Sequence, residues 1–404
     1  MRILHLTADY PDPTNPRKTR AIANLLDLAP GHEHRVYSLN RTAWRAPLTL
    51  ASFEDDRGID HRSVRYPGLS FGLGLHGSMV RLADRLATEL EDSGFRPDLI
   101  HAHKLTIEGI AGDRLARQLG LPLALSIQGN TDLKIAGARP DLRGTYARIW
   151  KGAALAFPFA PWASARLNAM LGPRMGPAHC LPCAGPGDAV LTPIPAPPVI
   201  RTAFHFHDWR NKNAIRLFRA VARAAREVPQ LVLEVIGSGD PATVAHLERQ
   251  AHRIAGCRIR FHGSVPHAEM QALLNTSAAF ALVSHRESFG MVFSEALLAG
   301  VPCLIPRGRA IDGYLPEGEV TLSADPRDTA GIARALVRLI REQKAFKTRL
   351  QARQCSGAMD FLRRPAIART YLDSLDLLPD LQRVESTQTR LAAQSRPRFA
   401  TQPV

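Results

Sequence analysis

The chain of 404 residues lacks long hydrophobic runs and is poor in aromatic side chains, which make up 6% of its residues. Its most apolar segment, residues 152–165, contains Pro158 and Pro161. It is shorter than the roughly 20 residues that a membrane-spanning helix needs. The first residues, MRILHLTADY, predict a β-strand and not a signal peptide, because no apolar region follows the positive charge. We therefore expect a cytoplasmic protein without a membrane span.

Cysteine is scarce, and the pattern of metal-binding residues is incomplete. The cysteines are odd in number and scattered, at positions 180, 183, 257, 303 and 355, which is not a disulfide framework. Cys180 and Cys183 have redox spacing but lack the second pair of a zinc site. The histidine pairs 101/103 and 205/207 each face one side of a strand, without a third ligand at a recognised spacing. The sequence thus predicts no metal site.

Acidic residues are also few: 37 Asp and Glu stand against 52 Lys and Arg, so the formal net charge is +15. Such an excess favours nucleic acid, phosphorylated substrates or an anionic lipid surface as partners. Binding of stacked bases would need aromatic residues interleaved with basic ones, and this pattern is missing. We therefore expect no nucleic acid and favour peripheral contact with an anionic membrane. An ordinary solvated surface charge is the alternative.

Short β-branched runs alternate with segments of helical period, which predicts an α/β protein with parallel sheets and crossover helices. In the first half the predicted strands are Arg2–Thr7, Arg35–Leu39, Asp98–Ala102, Leu123–Ile127, Leu155–Phe159 and His179–Pro182. In the second half they are Thr202–Phe206, Leu231–Ile236, Arg258–His262, Phe280–Val283 and Cys303–Ile305. The predicted helices are Ser78–Asp92 and Ile107–Leu119 in the first half, and Ala214–Glu227, Ala242–Ala255, His267–Asn275, Val292–Ala299 and Asp328–Glu342 in the second. The proline-rich residues 186–198 lie between the halves and read as a semi-rigid linker.

This pattern predicts two doubly wound, Rossmann-like domains that face each other across a cleft. The expected divisions are an N-terminal acceptor-side domain (1–190), a C-terminal nucleotide-sugar-binding domain (191–358), helices that return to the first domain (359–380) and a disordered tail (381–404). Ligands of such folds bind at the carboxyl ends of the strands, so we expect the functional residues in the loops that follow strands.

The segment SHRESFGMVFSEALLAGVP, residues 284–302, carries the strongest functional pattern. A strand ends, Glu287 follows in a polar loop, and Gly290 starts a helix that contains Glu295. Free amides at a helix start attract a diphosphate, and a carboxylate one to two turns later can bind the hydroxyls of a ribose. The amides lie between Phe289 and Phe293, including Met291 and Val292. Alternatively, Glu287 caps the helix and Glu295 is a surface residue.

ESFGMVFSEALLAGVPCL resembles the E-x7-E signature of the retaining GT-B glycosyltransferases of family 4 (group 1). The resemblance implies that Glu287 lies near the donor sugar and that Glu295 binds the ribose. LVLEVIGSGD, with Gly237, resembles the family's strand that ends in a Gly-x-Gly turn. RIRFHGSVP, with Val265, resembles the strand and turn whose backbone contacts the nucleobase.

The sequence departs from the family at three places. The family's diphosphate clamp is an arginine and, five residues later, a lysine; Lys212 matches the lysine, but His207 stands at the arginine position and Arg210 is a possible substitute. Gln128-Gly129 replaces the family's His-Gly, and glutamine cannot take a proton. The glycine-rich loop after the first strand is replaced by PDPTNPRKTRAI, whose cations at positions 17, 18 and 20 either meet a phosphate or form a solvated loop.

The resemblance implies a retaining glycosyltransferase that needs no metal or other cofactor and uses a nucleoside diphosphate sugar as donor substrate. The acceptor is expected to be a saccharide or a lipid-linked saccharide, as in surface-polysaccharide biosynthesis. The expected catalytic residues are Glu287, Lys212, Gln128 and His207. Because of the departures, a non-catalytic sugar-nucleotide-binding protein and an epimerase of the same fold remain alternatives.

Overall fold

The computed structural model describes residues 1–69 and 72–379, so the predicted tail at 381–404 lies outside the described residues. The described elements of the first half form a sheet with helices on both faces. The strands are β1 (Arg2–Thr7), β2 (Glu33–Thr42), β3 (Thr49–Glu54), β4 (Asp60–Pro67), β5 (Leu99–Ala102), β6 (Leu123–Ile127) and β7 (Leu155–Pro158). The helices are α1 (Ala21–Leu26), α2 (Leu75–Ser93), α3 (Glu108–Leu119), α4 (Asn130–Ala138), α5 (Arg143–Gly152) and α6 (Pro161–Leu171).

The described part of the second half forms another sheet of the same kind. Its strands are β8 (Val199–Ala203), β9 (Val232–Ile236), β10 (Ile259–Gly263), β11 (Ala279–Ala281), β12 (Cys303–Pro306) and β13 (Thr321–Ala324). The helices are α7 (Ala214–Ala224), α8 (Pro241–Ala255), α9 (His267–Asn275), α10 (Met291–Leu298), α11 (Thr329–Arg341), α12 (Gln343–Cys355) and α13 (Arg364–Asp376). Within the described residues, no helix combines the length and hydrophobicity that a membrane crossing requires.

The strand orders are β3-β4-β2-β1-β5-β6-β7 and β10-β9-β8-β11-β12-β13, and apart from the antiparallel β3–β4 pair the strands run parallel. This confirms the predicted pair of doubly wound α/β sheets. In each sheet the direction of winding reverses once, between β1 and β5 in the first and between β8 and β11 in the second. A crevice opens outside the carboxyl ends of the strands at such a reversal, and ligands of these folds bind there. The topology therefore places one such crevice in each half.

Several elements were not predicted, and one predicted strand is absent. The β3–β4 hairpin was not predicted, because β3 is largely solvent exposed and its sequence lacks a clear hydrophobic pattern. Helices α1, α4, α5 and α6 in the first half, and β13 and α12 in the second, were also missed. The predicted strand at His179–Pro182 does not form a regular strand. The amides of His179 and Leu181 donate to the carbonyls of Ala156 at 2.9 Å and Pro158 at 2.8 Å in β7, but the pairing amounts only to an isolated bridge between Ala156 and Ala178. Prolines 177 and 182 lack the N–H groups that a continuous ladder requires.

The last described helix, α13, packs against the first sheet and not against the second. Its Ile367, Tyr371 and Leu375 belong to a buried cluster that also contains Ile3 of β1 and Phe157 of β7. The chain thus crosses between the two halves twice, once through the irregular residues 186–198 and once before α13. Two crossings leave the halves free to form a cleft while holding them together.

Candidate active site

The loops after β8 and β11 form the core of the candidate site because they flank the crevice of the second sheet. Asn213 ties them together: it adopts a left-handed conformation (φ 59°), and its Nδ2 donates to the carbonyls of Val283 at 3.1 Å and Pro326 at 2.7 Å. Asparagine tolerates this conformation better than most residues. The adjacent Lys212 is thereby directed toward the loop that follows β11.

Lys212 and Glu287 form an ion pair across these two loops. The Nζ of Lys212 lies 2.7 Å from Oε2 of Glu287, and the hydroxyl of Ser284 donates to the same oxygen at 3.2 Å. The side chains are 20% and 13% exposed, so the pair is screened only partly by solvent and remains accessible. The structure therefore brings together two of the predicted catalytic residues, which are 75 positions apart in the chain.

Gly290 shapes the start of α10. Its φ is 73°, and a Cβ atom there would lie 2.7 Å from the ring of Phe293 and 3.1 Å from Cγ of Glu287. Only glycine fits both the conformation and the space. No side chain caps the helix, so the first amides, including those of Met291 and Val292, have no side-chain acceptor at this end. Such amides, with the positive end of the helix dipole, can bind an anion.

Glu295 lies in α10 and is 5% exposed. Burial raises the pKa of its carboxyl to about 7. Among the described residues, the one basic side chain within 4.0 Å is the imidazole of His267, whose Nε2 lies 3.9 Å from Oε1 of Glu295. A carboxyl with a pKa near 7 is partly protonated near neutral pH, so it can either donate or accept a hydrogen bond. It is therefore not the solvent-exposed residue of the alternative interpretation.

Two cavities meet at the Lys212–Glu287 pair, and we name them by their most distinctive residues. The Glu295 cavity has a volume of about 790 Å³ and is lined by Glu295, Val292, His207, Gly237 and Val265 among others. The Gln128 cavity has a volume of about 750 Å³ and is lined by Gln128, Phe289 and residues of both sheets. The residues common to both are Thr19, Asp208, Lys212, Glu287, Gly290 and Met291. The ion pair thus lies at the junction of the two cavities.

Gln128 is held by an acidic residue that the sequence analysis missed. Its Nε2 donates to Oδ2 of Asp9 at 2.6 Å, and Nζ of Lys104 donates to the same oxygen at 2.5 Å. Burial opposes ionisation of Asp9, but the charge and hydrogen bond of Lys104 and the bond from Gln128 outweigh it and lower its pKa. Asp9 lines the Gln128 cavity as a carboxylate. Asp9 follows β1 directly, beside the reversal of the first sheet, and this position could have identified it as a residue of the site.

The residue at the arginine position, its possible substitute Arg210 and the cations of the loop after the first strand take different positions. Arg210 is exposed, lies 4.5 Å from the ring centre of Trp209 and does not line either cavity. His207 lines the Glu295 cavity beside His205. Lys18 is bound to Asp12 at 3.0 Å and to the hydroxyl of Ser38 at 2.8 Å. Arg20 lies 3.4 Å from Asp56, whereas both Arg17 and Lys18 line the Glu295 cavity.

A buried histidine cluster lies beneath the first sheet's crevice, away from both cavities. The side-chain nitrogens of His5, His101 and His103 approach within 4.8 Å of one another, a grouping that could in principle hold a metal ion. His5 supplies the third member that the sequence spacing of His101 and His103 did not reveal. Burial lowers the pKa of His101 to about 3 and also lowers the pKa values of His5 and His103, so the rings are neutral.

The hydrogen bonds of this cluster run in one direction. His34 Nε2 donates to the carbonyl of Ala29 at 2.9 Å, so its Nδ1 accepts from His5 Nε2 at 3.0 Å. The same argument fixes the tautomer of each following ring. The remaining bonds are His103 Nε2 to His5 Nδ1 (3.0 Å), Ser126 Oγ to His103 Nδ1 (3.3 Å), His101 Nε2 to Ser126 Oγ (2.9 Å) and Tyr371 OH to His101 Nδ1 (3.2 Å). A metal ion would have to break this chain to reach a lone pair.

Comparisons with known proteins bear on the fold and the activity of the chain. Residues 198–342 match the family model described as glycosyl transferases group 1. Glycogen synthase from Mycobacterium tuberculosis (strain CDC 1551 / Oshkosh) is 26% identical over 312 residues, which cover 72% of this chain and 72% of that protein. The lipopolysaccharide core biosynthesis glycosyltransferase LpsE from Rhizobium meliloti (strain 1021) is 28% identical over 162 residues, or 40% of this chain and 46% of that protein.

The likeness in structure extends over both halves. The structure of Anabaena HepE in complex with UDP and glucose superposes with a TM-score of 0.60 at 16% identity and covers 93% of this chain and 99% of that one. At this identity the superposition shows the fold alone, whereas the family match and the relatives bear on activity. The chain is therefore a glycosyltransferase with the two-domain GT-B fold, and its residues 198–342 match the group 1 glycosyltransferases.

Proposed function

We propose that this enzyme transfers a sugar from a nucleoside diphosphate donor to a saccharide or lipid-linked saccharide acceptor, with retention of the anomeric configuration. The observation that carries the proposal is the Lys212–Glu287 pair at the junction of the two cavities. A reaction between two substrates needs charged groups where the substrates meet, and this junction provides them.

The nucleotide occupies the Glu295 cavity in this proposal. The diphosphate lies at the start of α10, where Gly290 leaves the amides of Met291 and Val292 open, and next to the ammonium group of Lys212. Glu295 binds the ribose hydroxyls, as the family resemblance implies. Gly237 and Val265 line the same cavity and contact the base through their backbone. His207 adds positive charge to the phosphates only when it is protonated.

The chemical step depends on charge that develops on the leaving diphosphate. Lys212 and the α10 amides stabilise this charge as the glycosidic bond breaks. Glu287 positions the donor sugar and keeps the ammonium group of Lys212 in place. Gln128, held by Asp9, donates a hydrogen bond to the sugar or its phosphate but cannot act as a base. The leaving phosphate takes the proton of the acceptor hydroxyl, so retention needs no separate base. A metal is not required for this arrangement.

The proposed acceptor belongs to the assembly of a surface polysaccharide. Supporting observations are the name of the relative LpsE, which places that protein in lipopolysaccharide core biosynthesis, and the net charge of +15. The excess of basic groups favours contact with an anionic lipid surface, where a lipid-linked acceptor would be found. Peripheral membrane contact is accordingly part of the proposal.

Thermal-shift measurements with UDP, GDP, ADP and their sugars test the nucleotide site. We expect at least one nucleotide to raise the melting temperature of the wild type, and the shift to be smaller in Glu295→Gln. Arg219→Gln, a charge change at an exposed residue of helix α7 that lines neither cavity, serves as the matched control and keeps the shift. Stabilisation of Glu295→Gln equal to that of the wild type would remove Glu295 from the site.

Retention and metal independence have their own readout. Proton NMR of the initial product reports its anomeric configuration, which should equal that of the donor. Transfer should continue at the same rate after treatment with EDTA. A product of inverted configuration would contradict the proposed mechanism, and a loss of activity that added metal restores would contradict metal independence.

A further inference from the structure

Three basic side chains of the Gln128 cavity have no acidic partner. Arg41, Lys134 and Arg286 line this cavity, and within the described residues none of them lies within 4.0 Å of a carboxylate oxygen. Arg41 donates only to the carbonyl of Leu69 at 3.4 Å, and Arg286 only to Oδ1 of Asn211 at 3.3 Å. Their positive charges are thus available to a ligand.

The other charged groups of the same cavity are largely matched. Lys212 is paired with Glu287, and Asp9 is paired with Lys104. Asp208 accepts from Nδ2 of Asn211 at 3.1 Å and is the remaining acidic group of the lining. The unmatched cations therefore outnumber the unmatched carboxylates, and the cavity as a whole attracts an anion.

Helix α4 adds neutral donors to these cations. Asn130, Thr131 and Lys134 line the cavity, and no side chain caps the start of the helix. The Nδ2 of Asn130 is buried and has no hydrogen-bond partner in the described structure. The acidic residue of this turn, Asp132, is buried and bonded to Thr106, so its charge is not presented to the cavity.

Gly129 is required for this arrangement. Its φ is 87°, and a Cβ atom there would overlap the ring of Trp162. The helix start therefore approaches the indole as closely as only glycine allows. This contact fixes where Asn130 and Thr131 stand relative to Lys134 one turn later.

The three cations line the Gln128 cavity, whereas the proposed nucleotide site lies in the Glu295 cavity. None of them lines the Glu295 cavity, which contains Glu295, Gly237 and Val265. If the donor enters from the Glu295 cavity, the acceptor must reach the junction from the Gln128 cavity. This step rests on the proposed function.

We infer that Arg41, Lys134 and Arg286 form an anion subsite for a phosphate group carried by the acceptor. Guanidinium groups bind phosphate oxygens in a bidentate manner, and a lysine adds a point charge. A sugar phosphate in solution and a lipid-linked phosphate share this chemistry. The acceptor is therefore a phosphorylated molecule, and its phosphate is a recognition element that stays outside the reacting bond.

Binding of defined probes to the full-length chain tests the subsite. Glucose 6-phosphate is titrated against glucose by calorimetry, with and without saturating UDP. Phosphatidylcholine vesicles that carry a polyprenyl monophosphate are compared with plain phosphatidylcholine vesicles. We expect one phosphorylated probe to bind at least tenfold more tightly than its neutral counterpart, and the arm that responds identifies the soluble or the lipid-linked source.

Charge-removal variants locate the binding. Lys134→Gln and Arg41→Gln should each lower the affinity for the phosphorylated probe about tenfold, whereas Arg219→Gln should leave this affinity unchanged. The melting-temperature shift caused by nucleotide should be retained in all three. Equal binding of phosphorylated and neutral probes, or unchanged affinity in both variants, would overturn the subsite. Loss of the nucleotide shift in Lys134→Gln would assign these cations to the donor instead. Failure of the proposed nucleotide site is a separate result, visible as the absence of any nucleotide shift in the wild type.

Discussion

The ammonium group of Lys212 lies 2.7 Å from the carboxylate of Glu287, and this contact joins the loops that follow β8 and β11. Because β8 and β11 flank the reversal of the second sheet, their loops are the ones that border the ligand crevice. The pair also marks the junction of the two cavities. The proposed chemistry therefore depends on a contact that the sheet topology makes possible and that cannot be read from either loop sequence alone.

Removing the charge of Lys212 should slow transfer strongly. We expect Lys212→Met to lower kcat by about 10²–10³-fold, the effect of deleting one group that stabilises developing negative charge. Initial rates with a nucleotide sugar and any active acceptor measure this. Arg219→Gln should keep the wild-type rate, and a Lys212→Met enzyme of full activity would contradict the assigned role.

Substitution of Gly290 should cost more stability than substitution of a glycine that has the same backbone conformation but open space where a Cβ atom would lie. Gly120 has a φ of 67° and no atom within 4 Å of a built Cβ, whereas at Gly290 the Phe293 ring lies 2.7 Å away. We expect Gly120→Ala to cost about 1–2 kcal/mol of unfolding free energy from the left-handed conformation alone. Gly290→Ala should cost more and should also weaken nucleotide binding.

Urea unfolding and nucleotide thermal shifts measure the two effects separately. Equal loss of stability in the two variants would show that the Phe293 contact relaxes easily. If folded Gly290→Ala keeps the full nucleotide-induced shift in melting temperature, the α10 amides do not bind the phosphate.

Nucleotide affinity should depend on the ionisation of Glu295. Its pKa, raised to about 7 by burial, leaves the carboxyl mostly protonated at pH 6 and mostly ionised at pH 8. The carboxylate accepts hydrogen bonds from ribose hydroxyls more strongly than the neutral acid, so affinity should rise about tenfold over this range. Calorimetry at several pH values measures it. Because the nucleotide phosphate also titrates, the decisive quantity is the difference from Glu295→Gln, which should lack this component.

Removing the Tyr371 hydroxyl should destabilise the first half of the protein. Tyr371→Phe leaves Nδ1 of the buried His101 without its donor, which should cost about 1–3 kcal/mol. Tyr146 provides a matched control, because its hydroxyl is also buried but has no hydrogen-bond partner in the described structure. Tyr146→Phe should be close to neutral or stabilising in urea unfolding. Equal effects of the two changes would contradict the role of the histidine chain.

The same histidines should make the fold labile to acid. Burial lowers the pKa of His34 to about 4 and that of His101 to about 3, from an ordinary value near 6.5. At pH values between the lowered pKa and 6.5, these histidines are protonated in the unfolded chain but stay neutral in the folded chain. The unfolding free energy therefore falls as the pH drops from about 6.5 toward 4. Urea unfolding at pH 7.5, 6 and 5 measures this slope. A slope unchanged by His34→Gln would exclude this histidine as a contributor.

Much of the second half could be predicted because its signals are local. The strand, Gly290 and the two glutamates lie within one short segment, and helix α9 was predicted with its observed bounds, His267–Asn275. The exposed β3 and the short helix α1 gave no comparable pattern, since neither combines length with a continuous apolar face. The predicted segment His179–Pro182 does run beside β7, but the pairing stops at an isolated bridge because prolines 177 and 182 have no N–H groups to extend it.

By itself, the sequence determined the alternation of strands and helices, the glycine-started helix with its two carboxylates and the positive charge, since each is a property of near neighbours or of composition. Only the tertiary structure decided that Lys212 meets Glu287, that Asp9 holds Gln128, that Arg210 stacks on Trp209 outside the cavities, and that Arg41, Lys134 and Arg286 share one cavity. These contacts join segments far apart in the chain. Their geometry follows from the order of strands in the sheets and the placement of one domain against the other.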